Sequence, residues 1–190
     1  RRANHARPDA GQGNMSEINA RVASRKVRLM GFDVDGVMTD GTIWFGPDGD
    51  MMKGFNTLDG HGLKMLAGAG VEVIIISGRS SAAVQHRARN LGITTALLGV
   101  ENKREAMREV AAERGLELSQ CGYMGDDIVD LPVLRACGFS AAPANAHFFV
   151  RQHVAWVGEA DGGRGAVREV CEFLLDARGA LDAMLQDCLR

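Results

Sequence analysis

Two aspartates directly after an apolar run constrain this chain more than any other feature. Residues 27–31 form a mostly apolar run that predicts a short buried strand, and Asp33 and Asp35 follow it. Since side chains alternate along a strand, both carboxylates are expected on the same side. Two anions held so close repel each other and raise a pKa unless a cation neutralises them. Gly36 then permits a sharp turn that brings backbone N–H groups near a bound anion.

This stretch favours a Mg²⁺-assisted phosphoryl-transfer site, in which one carboxylate attacks phosphorus beside a cation held by oxygen ligands. The second carboxylate would handle the proton of the leaving group. An acidic turn of the calcium-binding type is the alternative that the stretch alone leaves open. The rest of the chain must decide between the two.

The composition indicates a single domain. The chain has 190 residues, 46% of them hydrophobic, which suits one substantial core. The formal net charge of −2 gives no bulk attraction to nucleic acid or to an acidic membrane surface. No apolar run approaches the length of a membrane span, and residues 1–25 lack the hydrophobic centre of a secretory signal. We expect a cytoplasmic protein with a flexible extension over residues 1–25, of which residues 1–14 are disordered.

The cysteines and histidines do not suggest a metal or disulfide framework. Four widely spaced cysteines include no C-x-x-C pair, which is typical of reduced thiols in the cytosol. The five histidines also lack the spacing of a metal site.

Strand and helix patterns alternate along the chain. Apolar runs predict strands at 27–31, 71–76, 94–98 and 121–125, and helical periodicity predicts helices at 59–69, 81–91, 103–114 and 127–137. Beyond them we predict edge strands at 139–141 and 154–156 around a helix at 144–150, a helix at 166–175 and an amphipathic stretch at 181–189. Such alternation implies right-handed crossovers and a three-layer, Rossmann-like α/β fold, with a mainly parallel sheet covered by helices on both faces.

A β-hairpin is predicted after the first aspartates. Residues 42–45 and 51–55 form its arms around a Gly-Pro-Asp-Gly turn. Trp44 and Phe45 are adjacent and therefore face opposite sides of the ribbon. Because a two-stranded ribbon cannot bury both faces by itself, the hairpin suggests a partner surface.

Polar residues stand at the ends of several predicted strands. Asp33 and Asp35, Ser77, and the pair Asp126-Asp127 end strands, and Lys103 lies just after another. Taken alone, Ser77 is typical of an ordinary turn between a strand and a helix, and Lys103 is typical of a solvated surface lysine. The pair Asp126-Asp127 alone is typical of a helix cap. Ligands of parallel sheets bind at the carboxyl ends of the strands, so their joint occurrence favours a catalytic site.

The ordered set 33–40, Ser77-Gly78-Arg79, Lys103 and 125–127 resembles the haloacid dehalogenase-like superfamily of aspartyl-phosphate phosphatases. The resemblance implies a phosphatase domain over residues 26–178 and a C-terminal tail over 179–190. It also implies that Asp33 is the nucleophile and that Asp35 is the acid and base.

The same resemblance assigns the remaining catalytic parts. Mg²⁺ would be held by Asp33, the main-chain carbonyl of Asp35 and Asp126, with Asp127 beside them. Ser77 would donate to the phosphoryl oxygens, and Lys103 would neutralise the nucleophile and the transferred group.

Spacing narrows the resemblance to one family. Only the hairpin and one helix separate Asp40 from Ser77, so no cap domain fits there. Together with Arg79, Arg87 and the run 162–171, this pattern is similar to the 3-deoxy-D-manno-octulosonate 8-phosphate phosphatases. The resemblance implies a homotetramer in which the hairpins form a central barrel and one subunit covers its neighbour's site. It also implies a role in lipopolysaccharide inner-core biosynthesis.

A sugar-acid phosphate carries a carboxylate and a phosphate, and arginine binds either with two parallel hydrogen bonds. The substrate contacts implied by the resemblance are Asp35, Asn56, Thr57, Leu58, Asp59, Gly60, Lys64, Arg79, Arg87, Lys103 and Arg164. Relatives commonly carry arginine where this chain has Leu58 and Lys64. That departure leaves open a related nonulosonate 9-phosphate as the substrate. A phosphate-accepting receiver domain is a second alternative, although it would lack the acid and base at position 35.

Overall fold

The computed structural model describes residues 10–47 and 49–190. Its strands are β1 (Leu29–Phe32), β2 (Trp44–Gly46), β3 (Gly49–Met52), β4 (Glu72–Ser77), β5 (Ala96–Leu98), β6 (Cys121–Met124), β7 (Phe139–Ala142) and β8 (Trp156–Val157). Its helices are α1 (Ala10–Ser24), α2 (Thr57–Gly68), α3 (Ala82–Leu91), α4 (Lys103–Glu113), α5 (Leu131–Leu134), α6 (Phe148–Arg151), α7 (Ala166–Ala177) and α8 (Leu181–Asp187). The first nine residues, predicted to be disordered, lie outside this range.

Six strands form a parallel sheet in the order β5-β4-β1-β6-β7-β8. The chain builds outward from β1 in one direction through β4 and β5, and then in the other through β6, β7 and β8. The order therefore reverses between β1 and β6, and the carboxyl ends of these two strands form the switch point at which such sheets bind ligands. The predicted fold class is confirmed.

Both faces of the sheet are covered by helices. Successive residues of β4 point to opposite faces, so Val73 and Ile75 join one core cluster while Ile74 and Ile76 join the other. The first cluster packs under α2, α3 and α7, and the second packs under α4 and α5. A strand buried on both faces requires a continuous apolar run, which is the pattern that the sequence shows at β4.

A helix occupies residues for which the sequence predicted a flexible extension. Helix α1 packs on α7, where Ala20 is buried and the Arg21 guanidinium lies 5.2 Å from the centre of the Phe173 ring. Arg25 Nε donates to the Ala177 carbonyl oxygen at 2.8 Å. These contacts join residues about 150 positions apart in sequence, so the local pattern did not reveal them. The structure therefore places the C-terminal part of α1 in contact with α7, and the flexibility of the N-terminal extension stays a prediction.

Three smaller predictions also need correction. The helix predicted at 127–137 is a 3₁₀ turn, Ile128–Asp130, followed by the single-turn α5, since Asp127 caps the turn instead of continuing a helix. The helix predicted at 144–150 begins at Phe148, where His147 caps it. Strand β7 is fully buried between β6 and β8, so only β8 is an edge strand on that side.

The hairpin and the C-terminus lie apart from the sheet. Strands β2 and β3 pair with each other alone, with a register shift at Trp44 and Phe45. Helix α8 packs Leu181 and Met184 against the first core cluster, so part of the predicted C-terminal tail is ordered. Among the described residues, no helix has the length and apolar character needed to cross a membrane.

Candidate active site

The loop after β1 is held rigidly against the loop after β6. The Val34 carbonyl oxygen accepts backbone hydrogen bonds from Val37, Met38 and Thr39 at 2.9–3.2 Å, which closes the loop into a tight turn. Gly36 adopts a φ of +88°, and a Cβ there would collide with the Asp126 carboxylate. Only glycine permits both the left-handed conformation and this close approach, so the turn brings Asp33 and Asp126 together.

Three carboxylates meet at this switch point. Asp33, Asp126 and Asp130 each place an oxygen within 4.8 Å of the others. Asp33 is 7% exposed, and Asp130 has no exposed surface. Lys103, the first residue of α4, lies beside them with Nζ 2.9 Å from Asp33 Oδ1 and 2.6 Å from Asp130 Oδ1.

One ammonium group does not neutralise this cluster. Burial raises the pKa of Asp33 to about 6, with the Asp130 charge adding to the rise and Lys103 opposing it. Burial and the neighbouring carboxylates of Asp33 and Asp130 raise the pKa of Asp126 to about 7. Burial alone would lower the pKa of Lys103, but the two carboxylates that it contacts outweigh burial and raise it.

The donor set fits a hard divalent cation, since such ions prefer several carboxylate oxygens in one place. Asp33 and Asp126 supply carboxylate oxygens that are suitable ligands for such a cation. Asp130 Oδ1 accepts from Lys103, while its Oδ2 accepts from the backbone N–H groups of Asp126 and Asp127 at 3.1 and 3.3 Å. Asp130 therefore orients both the lysine and the loop that carries Asp126.

Asp127, a predicted metal ligand, lies outside this cluster. Its side chain is exposed, and its Oδ1 accepts a hydrogen bond from the Ile128 backbone N–H at 2.7 Å. The structure gives Asp127 the role of a cap at the edge of the cleft. Sequence reasoning missed Asp130, although an acid three residues after a capping aspartate is the signature of a capping box.

The cluster opens into a cleft of about 520 Å³. Its walls combine the ends of β1, β4 and β6 with part of the hairpin: Asp33, Asp35, Ile43, Ser77, Gly78, Arg79, Val100, Glu101, Lys103, Asp126, Asp127 and Val129. A hollow of about 570 Å³ between α1 and the end of α7 is larger, but the three-carboxylate cluster is not part of it. Chemistry rather than volume therefore identifies the site.

Asp35 and Ser77 face this cleft as predicted from the strand ends. The Asp35 side chain is 19% exposed, with Lys53 Nζ 2.5 Å from Oδ1 and Arg79 Nε 3.8 Å from Oδ2. Ser77 Oγ accepts from the Arg79 backbone N–H at 3.3 Å, which leaves its O–H able to donate to a bound anion.

The predicted substrate residues do not line a single pocket of this chain. Asp35, Arg79 and Lys103 line the cleft, Asn56 and Arg164 line a second pocket of about 300 Å³, and Thr57, Gly60, Lys64 and Arg87 line a third of about 170 Å³. Leu58 is 60% exposed on the surface.

Asp59 and Arg87 have structural partners. Asp59 is buried, and its carboxylate accepts from the backbone N–H groups of Arg168 at 2.9 Å and Gly165 at 3.4 Å, which anchors the start of α7. Arg87 Nη2 donates to the Asn56 carbonyl oxygen at 3.1 Å, with its guanidinium 5.7 Å from the centre of the Phe55 ring. Both side chains hold the segments that surround the pockets.

The glycine-rich loop before α7 packs on the loop after β1. The Gly163 N–H donates to the Val37 carbonyl oxygen at 2.9 Å, and a Cβ at Gly162 would collide with the Gly36 carbonyl. This contact places Arg164 Nη2 3.6 Å from Asp40 Oδ2 within the same chain. The C-terminal part of the chain thus reaches the first acidic loop directly.

Comparisons with known proteins point to one group of enzymes. The 3-deoxy-D-manno-octulosonate 8-phosphate phosphatase KdsC of Escherichia coli is 40% identical over 159 residues, covering 84% of this chain and 85% of that protein. A probable YrbI family phosphatase from Pseudomonas syringae superposes with a TM-score of 0.89 at 45% identity, covering 91% of this chain and 98% of that one. No family model matches the chain.

A third comparison includes bound ligands. The 3-deoxy-D-manno-octulosonate 8-phosphate phosphatase of Moraxella catarrhalis has a TM-score of 0.86 at 38% identity, covering 88% of this chain and 97% of that one. That protein was crystallised in complex with magnesium, phosphate and a KDO molecule.

Proposed function

Because the chain belongs to the 3-deoxy-D-manno-octulosonate 8-phosphate phosphatase family, we propose that it is a Mg²⁺-dependent phosphatase acting on that sugar-acid phosphate. The products are the free sugar acid and phosphate. The observation that carries the proposal is the contact of Lys103 with both Asp33 and Asp130 at the edge of an open cleft.

The reaction proceeds through two displacements at phosphorus. Asp33 attacks the phosphate ester, so an O–P bond to Asp33 forms as the P–O bond to the sugar breaks, and the sugar oxygen takes a proton from Asp35. Water then attacks the aspartyl-phosphate and gives a proton to Asp35. The bond to Asp33 breaks and phosphate leaves.

The surrounding groups stabilise the charge that moves in these steps. Lys103 lies against Asp33 and is held there by Asp130, so its ammonium is already placed beside the transferred group. Ser77 O–H donates to a phosphoryl oxygen. Asp33, Asp126 and the main-chain carbonyl of Asp35 would hold Mg²⁺, which would supply Lewis-acid stabilisation of the phosphoryl oxygens when bound.

Asp35 separates this function from that of a receiver domain. A receiver needs one phosphoacceptor carboxylate and a lysine, whereas hydrolysis by the proposed route also needs an acid and base facing the phosphate. Asp35 borders the cleft together with Asp33, which supports the phosphatase assignment.

The carboxylate end of the substrate is assigned to arginine. Arg79 is 56% exposed at the cleft, so its guanidinium can turn toward a ligand. The pocket with Asn56 and Arg164 borders the base of the hairpin and is the second candidate for sugar contacts. A nonulosonate 9-phosphate remains the alternative substrate, since Leu58 and Lys64 depart from the arginines common in relatives.

The proposed assembly is a homotetramer built through the hairpin. Trp44, Phe45 and Met52 are 58%, 67% and 59% exposed, which is unusual for three large apolar side chains in one short ribbon. Association of hairpins would bury them, and it would place a neighbouring subunit over the open cleft.

The cellular setting follows from the same proposal. The free sugar acid would enter lipopolysaccharide inner-core biosynthesis. Cys121 and Cys171 are buried free thiols, a state that suits the reducing cytoplasm in which this step is proposed to occur.

Phosphate release tests the proposal directly. Purified protein is assayed with 3-deoxy-D-manno-octulosonate 8-phosphate, a nonulosonate 9-phosphate and simple hexose phosphates, each with Mg²⁺ and with EDTA. We expect Mg²⁺-dependent release with a strong preference for the octulosonate. A preference for the nonulosonate would change the substrate but not the mechanism, and no release from any ester by folded protein would overturn both.

A further inference from the structure

Lys53 makes a contact in the cleft region that the mechanism above does not use. It follows β3 directly, and its Nζ lies 2.5 Å from Asp35 Oδ1. The Lys53 side chain has no exposed surface, while that of Asp35 is 19% exposed. A lysine at the base of the hairpin therefore contacts Asp35, the residue proposed to act both as general acid and as general base.

Burial makes this contact specific rather than incidental. An ammonium removed from water loses hydration that only a partner at hydrogen-bond distance can replace. An exposed pair can exchange partners with water, whereas the enclosed Lys53 ammonium depends on the partners that surround it, of which Asp35 Oδ1 is one. The interaction consequently fixes one Asp35 oxygen, Oδ1, toward Lys53.

Fixing one oxygen orients the other. Asp35 Oδ2 lies on the side of Arg79, whose Nε is 3.8 Å away and which lines the cleft. A carboxylate has one soft terminal torsion, so a partner on Oδ1 restricts the direction in which Oδ2 points. Proton transfer to a leaving group requires that the donating oxygen lie within hydrogen-bond reach of it.

The backbone that carries Lys53 is itself anchored. Arg87 donates to the Asn56 carbonyl oxygen at 3.1 Å and lies over the Phe55 ring. Asn56 also caps α2, with Oδ1 accepting from the Leu58 N–H at 2.8 Å. Residues 53–56 are thus tied to α2 and α3 on one side and to Asp35 on the other.

We propose that Lys53 is a positioning residue for the phosphatase reaction. It holds the Asp35 carboxylate so that Oδ2 faces the oxygen of the departing sugar. This inference rests on the proposed function, because it requires Asp35 to deliver that proton. The rival explanation is that Lys53 only braces the base of the hairpin.

Leaving groups of different basicity distinguish the two explanations. A sugar alkoxide needs a proton as it departs, whereas p-nitrophenolate leaves readily without one. Loss of correct Asp35 placement should therefore slow phosphoryl transfer from the sugar phosphate to Asp33 far more than transfer from p-nitrophenyl phosphate. If Lys53 only stabilised the base of the hairpin, its replacement would slow the reaction of both esters by a similar factor.

The experiment measures kcat/KM for both esters, in Mg²⁺, for Lys53→Met, Lys53→Gln and Lys53→Arg. This ratio reports on phosphoryl transfer to Asp33, whereas kcat would also include the attack of water on the aspartyl-phosphate, which needs Asp35 and is common to both esters. Exposed Lys26 supplies the matched control Lys26→Met, and Asp35→Asn supplies the reference for loss of the acid. Thermal melts establish that each variant is folded. Should Lys53→Met fail to fold, Lys53→Gln, which keeps a hydrogen-bond donor, carries the comparison.

We expect Lys53→Met to lower kcat/KM for the sugar phosphate by about 10-fold or more, a part of the ~100-fold or more that general acid catalysis typically supplies. The kcat/KM for p-nitrophenyl phosphate should change by less than about 3-fold, and Lys53→Arg should restore most of the kcat/KM for the sugar phosphate. Asp35→Asn should show the same selectivity more strongly, and Lys26→Met should match the unaltered protein.

Two results would overturn the inference, and they are distinguishable. Equal effects on both esters in Lys53→Met, with selective loss in Asp35→Asn, would leave the proposed function standing and make Lys53 a brace. If Asp35→Asn also slowed the reaction of both esters by the same factor, Asp35 would not be the general acid. The inference about Lys53 would then be wrong, because it requires that role of Asp35.

Discussion

At the scale of single residues, the site is defined by an excess of negative charge that the fold itself enforces. Asp33, Asp126 and Asp130 converge because β1 and β6 are adjacent and Gly36 permits close contact of their loops. Lys103 offsets part of this charge from the start of α4. A bound cation completes the balance, so chemistry and stability depend on the same groups.

Asp33→Asn is expected to abolish phosphate release, because an amide oxygen does not form the covalent intermediate. The same change removes one of three mutually repelling carboxylates, so the metal-free protein should melt at an equal or higher temperature. Exposed Asp182 provides the control Asp182→Asn. A near-normal rate for Asp33→Asn would show that the nucleophile is misassigned.

Lys103→Met should lose activity and also lose stability. The change leaves Asp33 and Asp130 buried without their cation, and breaking a buried pair in this way typically costs about 3–5 kcal/mol. Urea unfolding in EDTA measures the loss. Adding Asp130→Asn to Lys103→Met should recover part of the stability but not the activity. If stability stays lost in the double variant, uncompensated charge is not its cause.

The raised pKa values predict an unusual pH dependence for the metal-free protein. The pKa of Asp33 is raised to about 6 and that of Asp126 to about 7, against an ordinary value of 3.8. Between pH 4 and 7 the folded chain therefore binds more protons than the unfolded chain, and its unfolding free energy falls as pH rises.

Mg²⁺ should reverse this trend, since it competes with protons for the same oxygens. Melting temperatures in EDTA are expected to fall from pH 5 to pH 8, and the rise produced by Mg²⁺ should be larger at pH 8 than at pH 5. A melting temperature in EDTA that increases across this range would contradict the assigned carboxylate cluster.

At the scale of elements, the local sequence pattern was sufficient to predict a strand where a continuous apolar run indicates that the strand is buried on both faces. The β-branched residues of β4 and the strand ends at Ser77 and Asp126 were predictable, since a parallel strand is apolar throughout and stops at its first polar residue. Helix α1 was not predictable, because the surface that orders it belongs to α7, at the other end of the chain.

The residues of the candidate site also divide into those that the local sequence pattern predicts and those whose contacts are distant in sequence. The sequence indicated Asp33, Asp35 and Lys103, and it also attributed Asp59 and Arg87 to the substrate. In the structure both of these side chains bind backbone groups of segments distant in sequence, and their contact with substrate stays a prediction. A polar side chain near a motif can bind the ligand or the backbone of a loop that surrounds the ligand. Tertiary contacts are needed to distinguish these two roles.

Asp59→Ala tests the element that this carboxylate anchors. The substitution leaves the Arg168 and Gly165 N–H groups at the start of α7 without their acceptor, at a cost of about 1–3 kcal/mol. Chemical denaturation measures the difference, with Asp182→Asn as the exposed control. An unchanged unfolding free energy would mean that water replaces the carboxylate and that α7 does not need this anchor.

At the scale of the whole molecule, one chain leaves its cleft open and its hairpin uncovered. Trp44, Phe45 and Met52 expose apolar surface on a ribbon whose only strand partner is itself, within the part of the chain that the structure describes. The homotetramer proposed above would account for both features, because the hairpin that is proposed to join subunits adjoins the cleft that is proposed to bind substrate.

The double variant Trp44→Glu/Phe45→Glu should dissociate the assembly, since burying two added carboxylates is costly. Light scattering after size exclusion measures the mass, and phosphate release measures the effect on the cleft. We expect a smaller particle with reduced activity. Leu185→Glu on α8, which also charges an exposed apolar side chain, is the control. A tetramer that survives the hairpin change would place the interface elsewhere.

The close contacts at Gly36 and Gly162 have a consequence for protein engineering. They hold the loop after β1 in contact with the Asp126 carboxylate and with the glycine-rich loop before α7, so an added methyl group at either position would push apart the groups to which the proposed chemistry is assigned. The segment that follows the hairpin faces no such restriction at Gly54, where a Cβ would meet nothing within 4 Å. Gly49 has the same space, but its φ of +109° favours glycine. A library seeking new sugar substrates should vary Gly54 and leave Gly36 and Gly162 unchanged.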